Sequence, residues 1–178
     1  LLGLASMQKP FLAGRGLVDA NAQVDETQNL LKDALNYIVF LPFSAGVMTE
    51  FENELYANDL SKDAFNEKWW ELAKQYQGIV TPAERSEECC DADSKNHINN
   101  DAAQYNDYAV SYILLFQLHD HIAKSILKQD PHATNYFGSK EVGEFLRGIL
   151  KTGSNNDWRI LLKESVGSEL SAKPMLDY

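Results

Sequence analysis

The chain has little cysteine, and its two cysteines, Cys89 and Cys90, are neighbours in the sequence. A bridge between adjacent cysteines is strained, so no disulfide framework can be inferred and the cysteines indicate no compartment. Basic residues are also scarce, since 16 Lys and Arg stand against 26 Asp and Glu, with a net charge of -10. Because phosphate binding needs Lys and Arg clustered on one face, this balance predicts that nucleic acid is not a partner.

Long apolar runs are missing as well. The longest strongly apolar stretch without charge, 109–118, has about half of the roughly 20 residues that a membrane-spanning helix needs, so we interpret it as part of a buried helix. The four histidines show no metal-ligand spacing: His119 and His121 lie two residues apart, where helical side chains do not share a face. The sequence therefore predicts no metal site within this chain.

What the chain does contain is a composition typical of soluble globular proteins and helical periodicity along most of its length. Helices are expected from near Asp25 and Glu26 to the kink at Pro42, and over about 61–78, 102–129, 139–151 and 156–165. After Pro42 the helical spacing resumes through Val47, Phe51 and Leu55. No strand pattern, internal repeat, low-complexity run or composition shift competes with this interpretation. We therefore predict an all-α fold in a single unit over residues 1–178.

The segment most informative about function begins with Lys95 and His97 and continues to Tyr105 and Tyr108. It follows an acidic stretch, 84–101, that is expected to be an exposed loop. An ammonium, an imidazole and two phenols are groups that bind a carboxylate and stabilise a developing oxyanion. The alternative is structural, because such residues near a helix start are more often surface and core residues than a site.

Ordered motifs along the chain support the functional interpretation, because together they resemble the C-terminal part of angiotensin-converting-enzyme-like peptidyl-dipeptidases. The motifs are Ala34-Leu35, Phe40-Leu41-Pro42-Phe43, Trp69-Trp70, Tyr76-Gln77-Gly78, Lys95-x-His97-Ile98, Tyr105-x-x-Tyr108, Phe116-Gln117-x-His119 and Ser139-Lys140-Glu141. The resemblance implies the C-terminal part of a large helical zinc metallopeptidase fold with a deep central cleft. It also implies that the upstream part of the same polypeptide is a partner.

The resemblance implies catalytic and substrate-binding roles for named residues. His97 is similar to the imidazole that hydrogen-bonds the substrate backbone and the tetrahedral intermediate, and Tyr108 resembles the phenol that donates to the oxyanion. Lys95 and Tyr105 are similar to the pair that holds the C-terminal carboxylate of the peptide.

An apolar pocket for the last substrate side chain is implied as well. Phe40 and Tyr112 match positions that line this pocket, although the family usually has Phe at the second position. From the residues alone, Phe40 and its neighbour Phe43 are more often core residues.

The chain also departs from the family pattern. Family members carry an HExxH zinc motif and a third Glu ligand upstream, and this chain has neither, so zinc is expected in the full-length protein and not in this fragment. The fragment alone is therefore expected to be inactive. The cysteines of the animal enzymes' C-terminal disulfide are missing, and the linker between His97 and Tyr105 is one residue longer, which favours a bacterial-type member. Where the animal enzymes bind chloride through Arg, this chain has Ala73 and Asp107, so chloride is not expected.

The implied function is a zinc metallopeptidase that releases dipeptides from peptides with a free C-terminus. The alternative is a non-catalytic peptide-binding helical module whose zinc motif has been lost. A free-standing helical interaction protein is disfavoured, because the first residues look like the tail of a helix and Pro174 begins a helix that is cut short. Only the resemblance suggests a periplasmic or secreted protein.

Overall fold

The computed structural model describes all 178 residues, which form ten α-helices and no β-strand. The prediction of an all-α fold is confirmed. Two 3-10 segments (Lys62–Ala64 and Asp91–Ser94) and two π-helical segments (Pro42–Met48 and Ile122–Leu127) lie between the α-helices. The α-helices are α1 (Leu2–Ser6), α2 (Lys9–Gly14), α3 (Glu26–Leu41), α4 (Thr49–Tyr56), α5 (Phe65–Gln77), α6 (Asn96–Asn100), α7 (Asn106–His121), α8 (Lys140–Leu150), α9 (Trp158–Val166) and α10 (Lys173–Asp177).

The chain divides into two compact units. The first contains Leu1–Leu35 and Tyr112–Tyr178, and the second contains Asn36–Ser111. Whether both belong to a single domain, as the sequence suggested, stays a prediction.

The first unit has a polar pair at the centre of its core. His119 is fully buried and its Nε2 lies 2.8 Å from the carbonyl oxygen of Pro131. Because a carbonyl only accepts, Nε2 carries the proton, and Nδ1 then accepts from the hydroxyl of Tyr136. Burial lowers the pKa of His119 and raises that of Tyr136, so both groups stay neutral. The pair is therefore structural.

The second unit is built around α4 and α5. Phe51 of α4 and Trp69 of α5 meet edge to face with ring centroids 5.3 Å apart. The other members of their buried cluster are Val47, Met48, Leu72, Ala92, Ile98 and Tyr105. Helix α5 ends at Gly78, whose left-handed φ of 69° lets the chain turn away, as the sequence predicted. This cluster supports the side chains of the candidate site.

Helical structure resumes after Pro42, as the sequence predicted. The segment Pro42–Met48 is π-helical, and proline's missing N–H is accommodated at its first position. The kink at Pro42 stays a prediction. The hydroxyl of Thr49 donates to the carbonyl oxygen of Ser44 at 2.8 Å and secures the return to regular α-helix. By length and composition the helical stretch Glu26–Tyr56 is long and apolar enough to cross a membrane, a test that core helices of soluble proteins also pass.

Candidate active site

Five of the six residues singled out in the sequence come together in the second unit. The ring of Tyr105 lies 4.7 Å from that of His97, 4.9 Å from that of Tyr108 and 5.8 Å from that of Phe40, centroid to centroid. The Nζ of Lys95 lies 4.7 Å from the centre of the Tyr105 ring. Tyr105, only 5% exposed, is therefore the centre of the cluster.

The ammonium of Lys95 is held by aromatic faces. Its Nζ lies over the ring of Phe43 at 5.3 Å as well as over that of Tyr105, and the two rings pack edge to face. Cation-π contacts attract the ammonium without supplying a hydrogen-bond acceptor. Lys95 makes no ion pair with an acidic residue of this chain, so its three N–H donors remain available to an anion.

His97 has an unsatisfied nitrogen. Its Nδ1 is buried and has no hydrogen-bond partner within the chain, while its ring packs edge to face on Tyr105 and lies 6.2 Å from that of Tyr108. A buried polar atom without a partner is costly unless something outside the chain pairs with it. The hydroxyl of Tyr108 also has no partner here, and its side chain is 43% exposed. The cluster thus contains polar groups of Lys95, His97 and Tyr108 that have no hydrogen-bond partner within the chain.

A cavity of about 420 Å³ adjoins the cluster. It is lined by Phe40 and Phe43 together with Val39, Asn36 and Gln77. The apolar walls are suited to an uncharged side chain, while the two amides supply donors and acceptors at its edge.

The segment that carries Lys95 and His97 is tied to α5. The carboxylate of Glu87 accepts the backbone N–H groups of Asn66 (2.7 Å) and Glu67 (2.8 Å), two of the donors left unpaired in the first turn of α5. The side-chain amide of Asn66 donates to the carbonyl of Ser86, and its oxygen accepts the N–H of Asp91. The sequence predicted an exposed loop over 84–101. In the structure hydrogen bonds hold this stretch against α5, and it includes helix α6.

Asp91 makes further contacts that hold this segment against α5. Its carboxylate accepts from the indole of Trp70 at 2.8 Å and forms a two-point ion pair with Arg85. The Arg85 contact, then the Trp70 hydrogen bond, lowers the pKa of Asp91 from 3.8 to about 2. Asp91 begins the 3-10 segment Asp91–Ser94, and Lys95 follows directly. The contacts of Asp91 with Trp70 and Arg85 therefore set where Lys95 and His97 lie.

Comparison with known families identifies the family of the whole chain. The family model described as angiotensin-converting enzyme matches residues 1–178. The chain belongs to the angiotensin-converting enzyme family. It is 36% identical to the angiotensin-converting enzyme of Bos taurus over 182 residues, which cover 100% of this chain and 14% of the relative.

Other relatives in the angiotensin-converting enzyme family give the same result. The chain is 35% identical to the angiotensin-converting enzyme of Theromyzon tessulatum, with 84% of this chain and 24% of the relative covered. It is 38% identical to that of Sus scrofa, with 84% and 11% covered. The chain thus spans less than a quarter of the length of these relatives. All three are animal proteins, so the comparisons do not support the bacterial origin favoured by the sequence.

The family is zinc-dependent, but the residues of this chain do not fit a zinc site. No group of three or more His, Cys, Asp or Glu side chains lies close enough together to hold a metal ion. We therefore assign no zinc ligand to this chain.

One predicted site residue of this angiotensin-converting enzyme family member, Tyr112, does not belong to the second unit. It belongs to the first unit, where its side chain is half-buried, and its role in substrate binding stays a prediction. Sequence reasoning also missed residues. Phe43 was interpreted as core and is one of the two rings under Lys95, while Glu87 and Asp91 appeared as solvated loop charges. No local pattern identifies them, because their partners Asn66 and Trp70 are about twenty residues away.

Proposed function

We propose that this chain is the part of a zinc peptidyl-dipeptidase that holds the C-terminal carboxylate of a peptide and stabilises the oxyanion at the scissile carbonyl. The observation that carries the proposal is the cluster around Tyr105. The ammonium of Lys95, which makes no ion pair, lies over the Tyr105 ring, and the ring of His97, whose Nδ1 has no partner, packs against it.

Recognition of the carboxylate rests on Lys95 and Tyr105. An ammonium forms charge-assisted hydrogen bonds with a carboxylate, and these are shorter and stronger than neutral ones. The rings of Phe43 and Tyr105 exclude water from one side of Lys95 without neutralising it. A carboxylate held there fixes the end of the peptide, and so determines how many residues are released.

Stabilisation of the oxyanion rests on Tyr108 and His97. The phenol O–H of Tyr108 and an imidazole N–H of His97 are donors for negative charge that appears only when the scissile carbonyl is attacked. Each well-placed donor of this kind contributes about 3 to 4 kcal/mol to the transition state. Because both side chains adjoin Tyr105, one bound peptide end can bring its carbonyl within reach of both donors.

The last substrate side chain occupies the cavity next to Phe40, and a role of Tyr112 in binding this side chain stays a prediction. The apolar lining supports selection of an uncharged terminal residue.

Zinc and the residues that hold it belong to the remaining part of the protein, upstream of this chain. Chloride is not required, because buried Ala73 and exposed Asp107 stand where the animal enzymes use Arg, and a carboxylate repels an anion. The fragment by itself has no activity.

The proposal is tested on the full-length protein with zinc, using matched peptides that end in a free carboxylate or in an amide. Wild type is expected to release dipeptides from the free-acid peptide and to act poorly on the amide. Lys95→Ala should raise KM for the free acid at least tenfold and reduce the preference over the amide. Lys74→Ala, which removes an exposed lysine of α5, is the control. Equal rates of wild type on both peptides would contradict carboxylate recognition.

The second candidate function is peptide binding without catalysis. The donor cluster supports it equally, since a site for a peptide C-terminus needs no chemistry. Binding of free-acid peptides by the full-length zinc-loaded protein, with no product formed, would favour this function.

A further inference from the structure

A buried carboxylate, that of Glu52, contacts the connection between α6 and α7. Glu52 is one of the two buried residues of α4 and is only 4% exposed. An ionised carboxylate in such surroundings is costly unless it is hydrogen-bonded. Its Oε1 accepts the backbone N–H of Ala103 at 2.8 Å, a residue 51 positions further along the chain.

Ala103 has a backbone conformation that its side chain disfavours. Its φ is 59°, in the left-handed region that residues with a Cβ rarely adopt. Such a conformation persists only where the surroundings hold it, and the charge-assisted bond from Glu52 is the contact on its amide.

Ala103 lies in the short connection between α6 and α7, so its bond to Glu52 acts on the geometry of that connection. The last backbone bond of α6 joins the N–H of Asp101 to the carbonyl of His97, and the first turn leading into α7 joins the N–H of Asp107 to the carbonyl of Gln104. Only two residues, 102 and 103, lie between these turns. The peptide geometry at Ala103 therefore sets the angle between the helix that carries His97 and the helix that carries Tyr108.

From this geometry we propose that Glu52 is a positioning residue of the active site. Its bond to Ala103 holds that residue in the left-handed conformation with which the two-residue connection brings Tyr105 and Tyr108 against His97. The inference rests on the proposed function, since positioning matters only if these three residues act on one substrate.

The alternative is that Glu52 serves only to stabilise α4. A purely structural carboxylate would change the stability of the unit without changing the positions of His97 and Tyr108 relative to each other. A cavity of about 320 Å³ borders the bond, lined by Thr49, Asn53 and Tyr56 besides the bonded pair, so water has room to replace a missing side chain and the unit has a route to fold without it.

The test compares variants of the full-length zinc-loaded enzyme. Glu52→Ala removes the acceptor, and kcat/KM should fall about tenfold to a hundredfold, the range expected for a displacement near 1 Å of reacting groups. Most of this loss should be in kcat, because the oxyanion donors are displaced relative to each other. Glu52→Gln keeps an acceptor oxygen of the same shape and should recover most of the rate. Glu50→Ala, which removes a carboxylate from the same helix without touching the connection, should match wild type.

Two further measurements separate positioning from general stability. In Glu52→Ala, amide hydrogen exchange should accelerate in peptides covering 99–108 and stay unchanged in α5. Ala103→Gly removes the cost of the left-handed conformation, so the kinetic loss from Glu52→Ala should be smaller in that background.

The outcomes that overturn the inference are specific. Wild-type kinetics and wild-type hydrogen exchange in Glu52→Ala would overturn it. Accelerated exchange across α4 and α5 in both Glu52 variants would also overturn it, because that result indicates a structural role only. A wild-type protein that releases no dipeptide contradicts the proposed function instead, and the exchange measurement still tests the link between Glu52 and Ala103.

Discussion

The indole Nε1 of Trp70 donates a 2.8 Å hydrogen bond to the carboxylate of Asp91, a residue 21 positions further along the chain. Together with Arg85, this contact fastens the start of the segment that carries Lys95 and His97 onto α5. The candidate site is thus held at a point where the local sequence shows only scattered charges.

The contribution of the Asp91 contacts to folding stability should depend on pH. The pKa of Asp91 is lowered in the folded state, from 3.8 to about 2, so its stabilisation is fully present above about pH 4 and is lost as the pH falls through 2. At pH 6, Asp91→Asn should cost about 1 to 2 kcal/mol, because it removes the ion pair with Arg85. The difference in Tm between variant and wild type should shrink between pH 4 and pH 2. Asp93→Asn, an exposed neighbour, is the control, and a pH-independent difference would contradict the assignment.

Tyr108→Phe should affect the chemical step rather than binding. The variant keeps the ring that packs against Tyr105 and Phe40 and loses only the hydroxyl, which serves the oxyanion. We expect kcat to fall about a hundredfold to a thousandfold with KM little changed. His97→Ala should also lower kcat. Steady-state assays on the full-length enzyme measure both, with Tyr56→Phe, an exposed tyrosine outside the cluster, as the control. A change in KM alone would assign Tyr108 to ground-state binding.

Gly46→Ala should destabilise the second unit. A Cβ at this buried glycine of the π-helical segment would collide with the ring of Tyr76 on α5. Overpacking of this kind costs about 1 to 3 kcal/mol. Gly148→Ala is the matched control, because a Cβ on this exposed residue of α8 meets nothing within 4 Å and should raise stability slightly. Thermal unfolding of both variants measures the effect, and equal Tm values would show that Tyr76 moves aside freely.

The full-length enzyme should not need chloride. Asp107 is exposed and makes no ion pair in this chain, so its negative charge opposes an anion beside Tyr108. Activity measured in acetate or sulfate at matched ionic strength should stay constant as chloride is titrated. A chloride-activated animal member of the family serves as the positive control. Saturable activation of about tenfold would contradict the prediction.

Several elements followed from the sequence because their causes are local. Helix α5 was predicted from a stripe of apolar residues at helical spacing and from Gly78 at its end, and both are properties of neighbouring residues. The start of α7 was predicted four residues too early, at 102 instead of Asn106. The connection at Ala103 adopts a left-handed conformation that nothing in its neighbours favours, and its bond to Glu52 comes from 51 residues away.

The same division applies to the site. The sequence by itself determined that Lys95, His97, Tyr105 and Tyr108 are candidate residues. All four lie in one short segment, and their residue types and order resemble a family motif. Only the tertiary structure decided that Phe43 lies under Lys95, that Nδ1 of His97 has no partner, and that Glu87, Asp91 and Glu52 fasten the segment at its two ends. These relationships join residues that are far apart in the chain, and the physical reason they escape sequence reasoning is that folding creates the distances on which hydrogen bonds and cation-π contacts depend.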